Sequence, residues 1–322
     1  MSHRAAAACI PLLTCPVCGE PLAGEGRTLR CPSGHAFDFA REGHLDLLPA
    51  GHGRSTLAGD TAEMLRARRR FLERGHFAPL SRALEACRAA LQQEAAAANA
   101  GRCARGLVVL EVGCGDGHFI GGLAAPATGP GAARRAGAAD PQAEREEPDC
   151  FFGLDISRDA LRLAARRHPA VLFFRNDVHH RICLCDGCVD LLLDIFAPRN
   201  PQEFRRVLRP SGLVVVVIPG EAHLGELRAA LPLIGMEPEK LERTIARLAG
   251  AFELEARDAL EWRLELDGED VVDLVRMTPS ARHLGEDAYA RAAQLGPLEV
   301  TFAVDLLRLR PAVRATEGAA GA

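Results

Sequence analysis

Five apolar runs punctuate the chain from Leu107 onward: LVVLEV (107–112), FFGLDI (151–156), AVLFF (170–174), VDLLLDIF (189–196) and LVVVVIP (213–219). None alternates apolar with polar along its whole length, so each must be buried on both faces, as happens in a parallel sheet covered by helices on either side. The stretches between them are long enough for those covering helices. After Pro219 the pattern predicts amphipathic helices, a strand at WRLEL (262–266), a helix around Val271 and a closing strand at LEVTFAVDLLRL (298–309). The expectation is an α/β, Rossmann-like domain over 107–311 with a mostly parallel seven-stranded sheet. Residues 124–150 (AAPATGPGAARRAGAADPQAEREEPDC) lack any core pattern and read as a disordered insertion, and 312–322 as a flexible tail.

The first run leads into GCGDGHF, which puts Glu111, Gly113, Gly115 and Gly117 at the join of a strand and a helix. Glycines there let backbone approach a ligand closely. A dinucleotide site would show G-x-G-x-x-G, whereas this spacing is E-x-G-x-G-x-G behind a strand ending in a carboxylate. It resembles the loop of class I methyltransferases, which bind S-adenosylmethionine and need no pyrophosphate cradle. Asp116 and His118 belong to the same loop. Asp155, ending the second strand, is placed to accept from both ribose hydroxyls, and Asn176 and Asp177 after the third strand face the adenine edge or cap a turn.

Near the start, Cys15-x2-Cys18-x12-Cys31-x3-His35 supplies three thiolates and an imidazole at the spacing of a closed tetrahedral zinc site, with Gly19 and Gly34 easing the two turns. Four protein ligands leave no position for water, so one structural zinc is expected rather than a catalytic one. CLCDGC (183–188) is not read as a second site; its cysteines precede a buried strand and pack as small hydrophobes. The segmentation is then a zinc-binding domain at 1–52, a helical linker at 53–106 with Asp60 or Thr61 as N-cap, and the large domain at 107–311.

Eleven cysteines in 322 residues without an export signal fit a reducing compartment, so a cytoplasmic location is expected. No apolar run reaches membrane-spanning length. The net charge of −4 excludes a surface basic all over, yet residues 1 to 80 hold ten arginines against eight acidic side chains, and any anionic partner is expected on that side. The RARRRFLERGH helix, with Arg68, Arg69 and Arg70, is the expected phosphate-docking element.

Clamp, helices and glycine loop together resemble the large-subunit rRNA guanine methyltransferases of the RlmA/RrmA kind, which include macrolide-resistance relatives. The stretches that carry the resemblance are CPVCGEPL, CPSGHAFDFAREGHLDLLP, GDTAEMLRARRRFLERGHF, LEVGCGDG, GLDISRDALRLAARR, FAPRNPQEFRRVLRPSGLVVVVIPGEAHLGELR and MTPSARH. The resemblance implies a class I S-adenosylmethionine-dependent fold and methyl transfer to N1 of a guanine in a hairpin of 23S rRNA. It also implies zinc on Cys15, Cys18, Cys31 and His35, and cofactor contacts at Phe77, the Gly115–His118 loop, Asp155 and His223. The sequence departs from the family pattern at Phe77, where some relatives have tyrosine, at Cys183, where relatives usually have proline, and at Asp194, where a neutral residue is expected in the acceptor pocket.

Methylating N1 requires an unpaired or extruded base, removal of a proton and in-line placement of the nitrogen. The segment after the fourth strand offers Asp194 as base, Phe196 as stacking surface and Arg199 as a cation for a phosphate or a guanine acceptor. His223 is a second acid/base candidate. A homodimer is left open. Two rival readings stand beside this one: a small-molecule methyltransferase with a zinc docking domain, and a non-catalytic zinc module that binds RNA.

Overall fold

The computed structural model describes residues 9–24, 26–49, 59–98, 106–125, 148–235 and 239–312. The expected insertion apart from its two ends, and the tail beyond Ala312, lie outside the described residues.

The parallel half of the large sheet forms where apolar runs occur: β4 (Val108–Val112), β5 (Cys150–Asp155), β6 (Leu172–Arg175), β7 (Val189–Ile195) and β8 (Leu208–Pro219), after a two-stranded hairpin, β1 (Thr28–Arg30) with β2 (Ala36–Asp38), and a short β3 (Leu45–Asp46). Two long strands, β9 (Phe252–Leu266) and β10 (Leu298–Pro311), complete it in the order β3-β6-β5-β4-β7-β8-β10-β9. β10 is antiparallel to both neighbours, and the other described pairings in this sheet are parallel. Apart from β3, this is the seven-stranded, mostly parallel sheet expected, with β4 central. The eighth strand is a departure from expectation. β3 comes from the N-terminal region, and Leu45 and Asp46 pair with Phe174 and Arg175 of β6.

The strand expected at WRLEL also proves longer, running 15 residues from Phe252. Its first part, FELEARDALE, carries no apolar run because it is the sheet's edge; β10 imposes the extended form, pairing with it from Leu298↔Leu266 to Pro311↔Phe252.

Helices cover both faces. On one lie α1 (Ala62–Glu73), α2 (Ala78–Ala98), α3 (His118–Ala124) and, beside α1, a helix at Gly268–Arg276; their Phe71, Leu80, Leu84 and Leu274 bury against Val109, Leu191, Leu193 and Val215 of the sheet. Thr61 caps α1 by accepting the Met64 N–H at 3.2 Å, and Met64, Leu65, Ala67, Phe71 and Leu72 form its buried stripe. The opposite face, Val108, Leu110, Leu192, Val214 and Val216, shares one core with Leu13, Leu29, Leu45 and Leu47 of the N-terminal region. The clamp is therefore packed onto the sheet. Thr14 N–H donates to Cys183 O at 3.0 Å, Cys185 N–H to Leu12 O at 3.0 Å and Leu47 N–H to Arg175 O at 3.0 Å.

Candidate active site

The four clamp residues converge, their donor atoms all within 4.8 Å of one another. Sγ of Cys15 and of Cys31 lie 3.6 and 3.3 Å from His35 Nδ1, and the Cys18 and Cys31 sulfurs are 3.6 Å apart. A tetrahedron with zinc–sulfur bonds of ~2.3 Å and a zinc–nitrogen bond of ~2.0 Å has edges of roughly 3.5–3.8 Å, so the set fits one zinc ion closed off from water. Two similar turns make this shape: Gly19 N–H donates to Cys15 O and Gly34 N–H to Cys31 O, both at 2.9 Å, with Gly19 and Gly34 at φ 77° and 86°. Glu20 bridges the turns by accepting from the backbone N–H of Ser33 at 3.1 Å and its hydroxyl at 2.5 Å.

Behind β4, Gly113, Gly115 and Gly117 sit at φ 66°, 56° and 78°. Only glycine adopts such angles without strain. Space is a second constraint: a Cβ on Gly113 would lie 2.7 Å from the Ala197 Cβ, and one on Gly117 2.8 Å from the Phe173 ring. Two carboxylates hold the loop. Glu111, buried, accepts the Ile120 N–H at 2.8 Å, while Asp155 accepts from Gly115 N–H at 2.9 Å and Ser157 N–H at 2.8 Å.

In front of the loop lies a cavity of about 400 Å³. It brings together Phe77, Glu111, Gly113, Asp116, His118, Phe196, Arg199 and His223. Gly115, Gly117 and Asp155 are not on its wall; they shape the loop from behind. The Phe77 ring lies 6.3 Å from Phe119 and from Phe196, and 5.5 Å from Phe302, each edge-on, and Trp262 stacks on Phe302 at 5.4 Å. Phe196 is 43% exposed despite its size and holds φ 55°, a strained angle for a non-glycine residue. Its N–H donates to Val217 O at 3.1 Å, which fixes the turn that aims the ring outward.

His223 Nδ1 accepts the Ala303 N–H at 3.3 Å, so its proton sits on Nε2. Burial pulls its pKa down to about 4, leaving a neutral hydrogen-bond donor on the cavity wall and not a base at neutral pH. Asp194 falls elsewhere than the base role requires. Residues of β7 alternate, so Leu191, Leu193 and Ile195 face the cavity side while Leu192 and Asp194 face the other. Asp194 is fully buried, its carboxyl 3.2 Å from the Arg199 guanidinium, and burial pushes its pKa up to about 7. It touches the cavity only through Arg199.

The arginines expected at phosphates are engaged inside the chain. Arg68 pairs with Asp60 at 2.5 Å and donates to Met277 O, Arg69 pairs with Glu73, and Arg70 forms a two-pronged pair with Asp273. Asp60 and Glu73 lie close by in the chain, but Arg70's partner on the Gly268–Arg276 helix is 203 residues away, which local charge counting cannot register. Cavity residues that sequence reasoning passed over are Phe119, Arg228 and Lys240; the last is the chain's only lysine, an available signal.

The model of the RlmA N-terminal domain matches residues 13–56, which contain all four clamp donors. Over 312 residues the chain is 41% identical to a protein of Micromonospora griseorubida named for 23S rRNA (guanine-N(1)-)-methyltransferase activity, covering 94% of this chain and 98% of that one. It is 38% identical over 301 residues to the 23S rRNA (guanine(748)-N(1))-methyltransferase of Streptomyces fradiae, covering 93% and 96%. The chain belongs to this 23S rRNA (guanine-N(1)-)-methyltransferase family. It is an S-adenosylmethionine-dependent methyltransferase whose zinc-ribbon segment holds the Cys3His cluster. No helix among its described residues is long and apolar enough to cross a membrane.

Proposed function

We propose that the chain transfers a methyl group from S-adenosylmethionine to N1 of one guanine in a hairpin of 23S rRNA, in the cytoplasm, with Phe196 and Arg199 receiving the base. The observation that carries this reading is the single cavity shared by the glycine loop and the exposed, strained Phe196. Bound S-adenosylmethionine supplies an electrophilic methyl group. The chain's own residues do the rest. Phe196 offers a face on which an extruded guanine stacks, and a ring held at a strained φ is already ordered before the base arrives. The Arg199 guanidinium and the His223 Nε2–H donate toward the guanine carbonyl, where negative charge develops as the N1 proton leaves. Asp194 holds Arg199 in that pose from behind the sheet. As the N1 proton passes to solvent at the cavity mouth, the freed N1 lone pair takes the methyl group and the methyl–sulfur bond breaks with its electron pair staying on sulfur, so neutral 1-methylguanine and S-adenosylhomocysteine are left. The apolar wall of Phe77, Phe119 and Leu224 excludes water from the transfer.

The test is methylation of a 23S hairpin transcript by the purified chain. Digestion and mass analysis should find 1-methylguanosine at one position, and primer extension should stop there. Methyl transfer to a small molecule with none to RNA refutes the reading.

A further inference from the structure

Arg228 and Lys240 line the cavity, and no acidic side chain pairs with either among the described residues. The other two cavity cations differ, Arg68 being held by Asp60 and Arg199 by Asp194. Arg228 spends its guanidinium on Glu221 O at 3.4 Å, while the nearby Glu226 carboxylate accepts from Thr301. Desolvation accordingly pulls the Arg228 pKa down. Lys240 opens a helix, Lys240–Leu248, whose Leu241, Ile245 and Leu248 pack into the sheet core. At 100° per residue Arg247 lies only about 20° around the axis from Lys240. Arg247 is exposed and donates to Arg199 O at 3.0 Å, so it stands at the rim where Arg199 enters the cavity.

A second cavity of about 560 Å³ also has Lys240 on its wall, where Glu221, Glu239, Glu242 and Glu261 outnumber the cations and Arg257 is paired with Asp305, so its net charge disfavours anions. An anionic chain is thus confined to the Arg228, Lys240 and Arg247 side.

Resting on the rRNA reading above, we propose that Arg228, Lys240 and Arg247 form a phosphate track for the hairpin backbone flanking the target guanosine. The track takes the place of the α1 arginines, whose charges are spent on Asp60, Glu73 and Asp273. Its partner is RNA because three cations around the mouth of a base-sized cavity, in a chain of net charge −4, complement a backbone rather than a single ion.

The experiment measures hairpin binding by the full zinc-loaded chain against salt, with S-adenosylmethionine affinity measured alongside. Each duplex phosphate contact contributes about 0.9 to the slope of log affinity against log salt. The double variant Lys240→Gln/Arg247→Gln should flatten that slope by about 1.8 and weaken binding roughly sixty-fold at 0.1 M salt, converging on the parent near 1 M. Arg228→Gln alone should remove about 0.9. The control Arg66→Gln/Arg82→Gln removes the same charge from exposed positions that do not line the cavity, and should leave the slope unchanged. An unchanged slope in the double variant, or an equal loss in the control, overturns the track while methylation by the parent keeps the rRNA reading. A parent that neither binds nor methylates the hairpin overturns both.

Discussion

Glu111→Gln isolates what a buried carboxyl does at the base of the cofactor loop. Glu111 is 2% exposed, and burial pushes its pKa from an ordinary carboxyl value up to about 8, with only the Ile120 N–H opposing the shift. The unfolded chain releases this proton near 4.5 and the folded chain near 8, so between those values the folded state binds more protons. Stability from this group is complete below the unfolded pKa and is lost as pH rises through the folded one. The span is worth about 5 kcal/mol at about 1.4 kcal/mol per pH unit. Glutamine cannot titrate, and its amide oxygen can still accept from Ile120. Relative to the parent, the variant should therefore gain stability steadily from pH 5 to pH 8, by several kcal/mol in urea unfolding. Zinc ligands titrate equally in both proteins and cancel in the difference. Stability curves that stay parallel across this window refute the assignment of a raised pKa to Glu111.

The same proton should appear in cofactor binding. Glu111 lines the cavity, and S-adenosylmethionine brings a positive sulfonium and ammonium, which favour the ionised carboxyl. At pH 7 the parent should release a large fraction of a proton on binding, read by calorimetry in buffers of different ionisation heat. Glu111→Gln should release much less.

Cys31→Ser should lose zinc by metal analysis and also weaken S-adenosylmethionine binding by about 1–2 kcal/mol, because Leu47–Arg175 and Thr14–Cys183 hydrogen bonds tie the ribbon to the C-terminal end of β6 and to Cys183, whose sulfur accepts from Asn176; metal loss with unaltered cofactor affinity shows an independent module. Arg70→Ala should cost about 1–3 kcal/mol in urea unfolding, since it strands the buried Asp273, and should leave the salt dependence of hairpin binding as it was. Phe196→Ala should weaken hairpin binding by about 1–3 kcal/mol with a smaller change in cofactor affinity, measured by titrating each ligand separately; equal losses for both ligands would place the ring on the cofactor side.

What could be read from the sequence was the chemistry that local spacing dictates. Three left-handed glycines within five residues, or two cysteine turns separated by twelve residues, are properties of a short stretch, and the structure places them as the spacing implies. What could not be read was set by partners far along the chain. Arg70 looks like a free cation until Asp273 is brought beside it, and the FELEARDALE segment becomes a strand because β10 demands one. Asp194 is a case between these. The alternation along VDLLLDI already puts it out of phase with Ile195, and applying that two-residue period to a strand buried on both faces would have turned it away from the cavity.

The clamp at the head of the chain bears on more than RNA choice. A metal site that only presented a surface to RNA could hang from a linker, yet β3 extends the sheet beside β6, and Leu13, Leu29, Leu45 and Leu47 are buried in the sheet's own core. Cys183 sits at the seam, its carbonyl accepting from Thr14, its sulfur accepting from the Asn176 amide and facing Leu47 O. Asn176 follows directly on β6. Unfolding the ribbon would strip that seam of its backbone partners and expose leucines that the large domain needs covered. Zinc binding free energy is therefore also folding free energy for one edge of the sheet, and a chelator should lower the unfolding temperature of the large domain as well as release the ribbon.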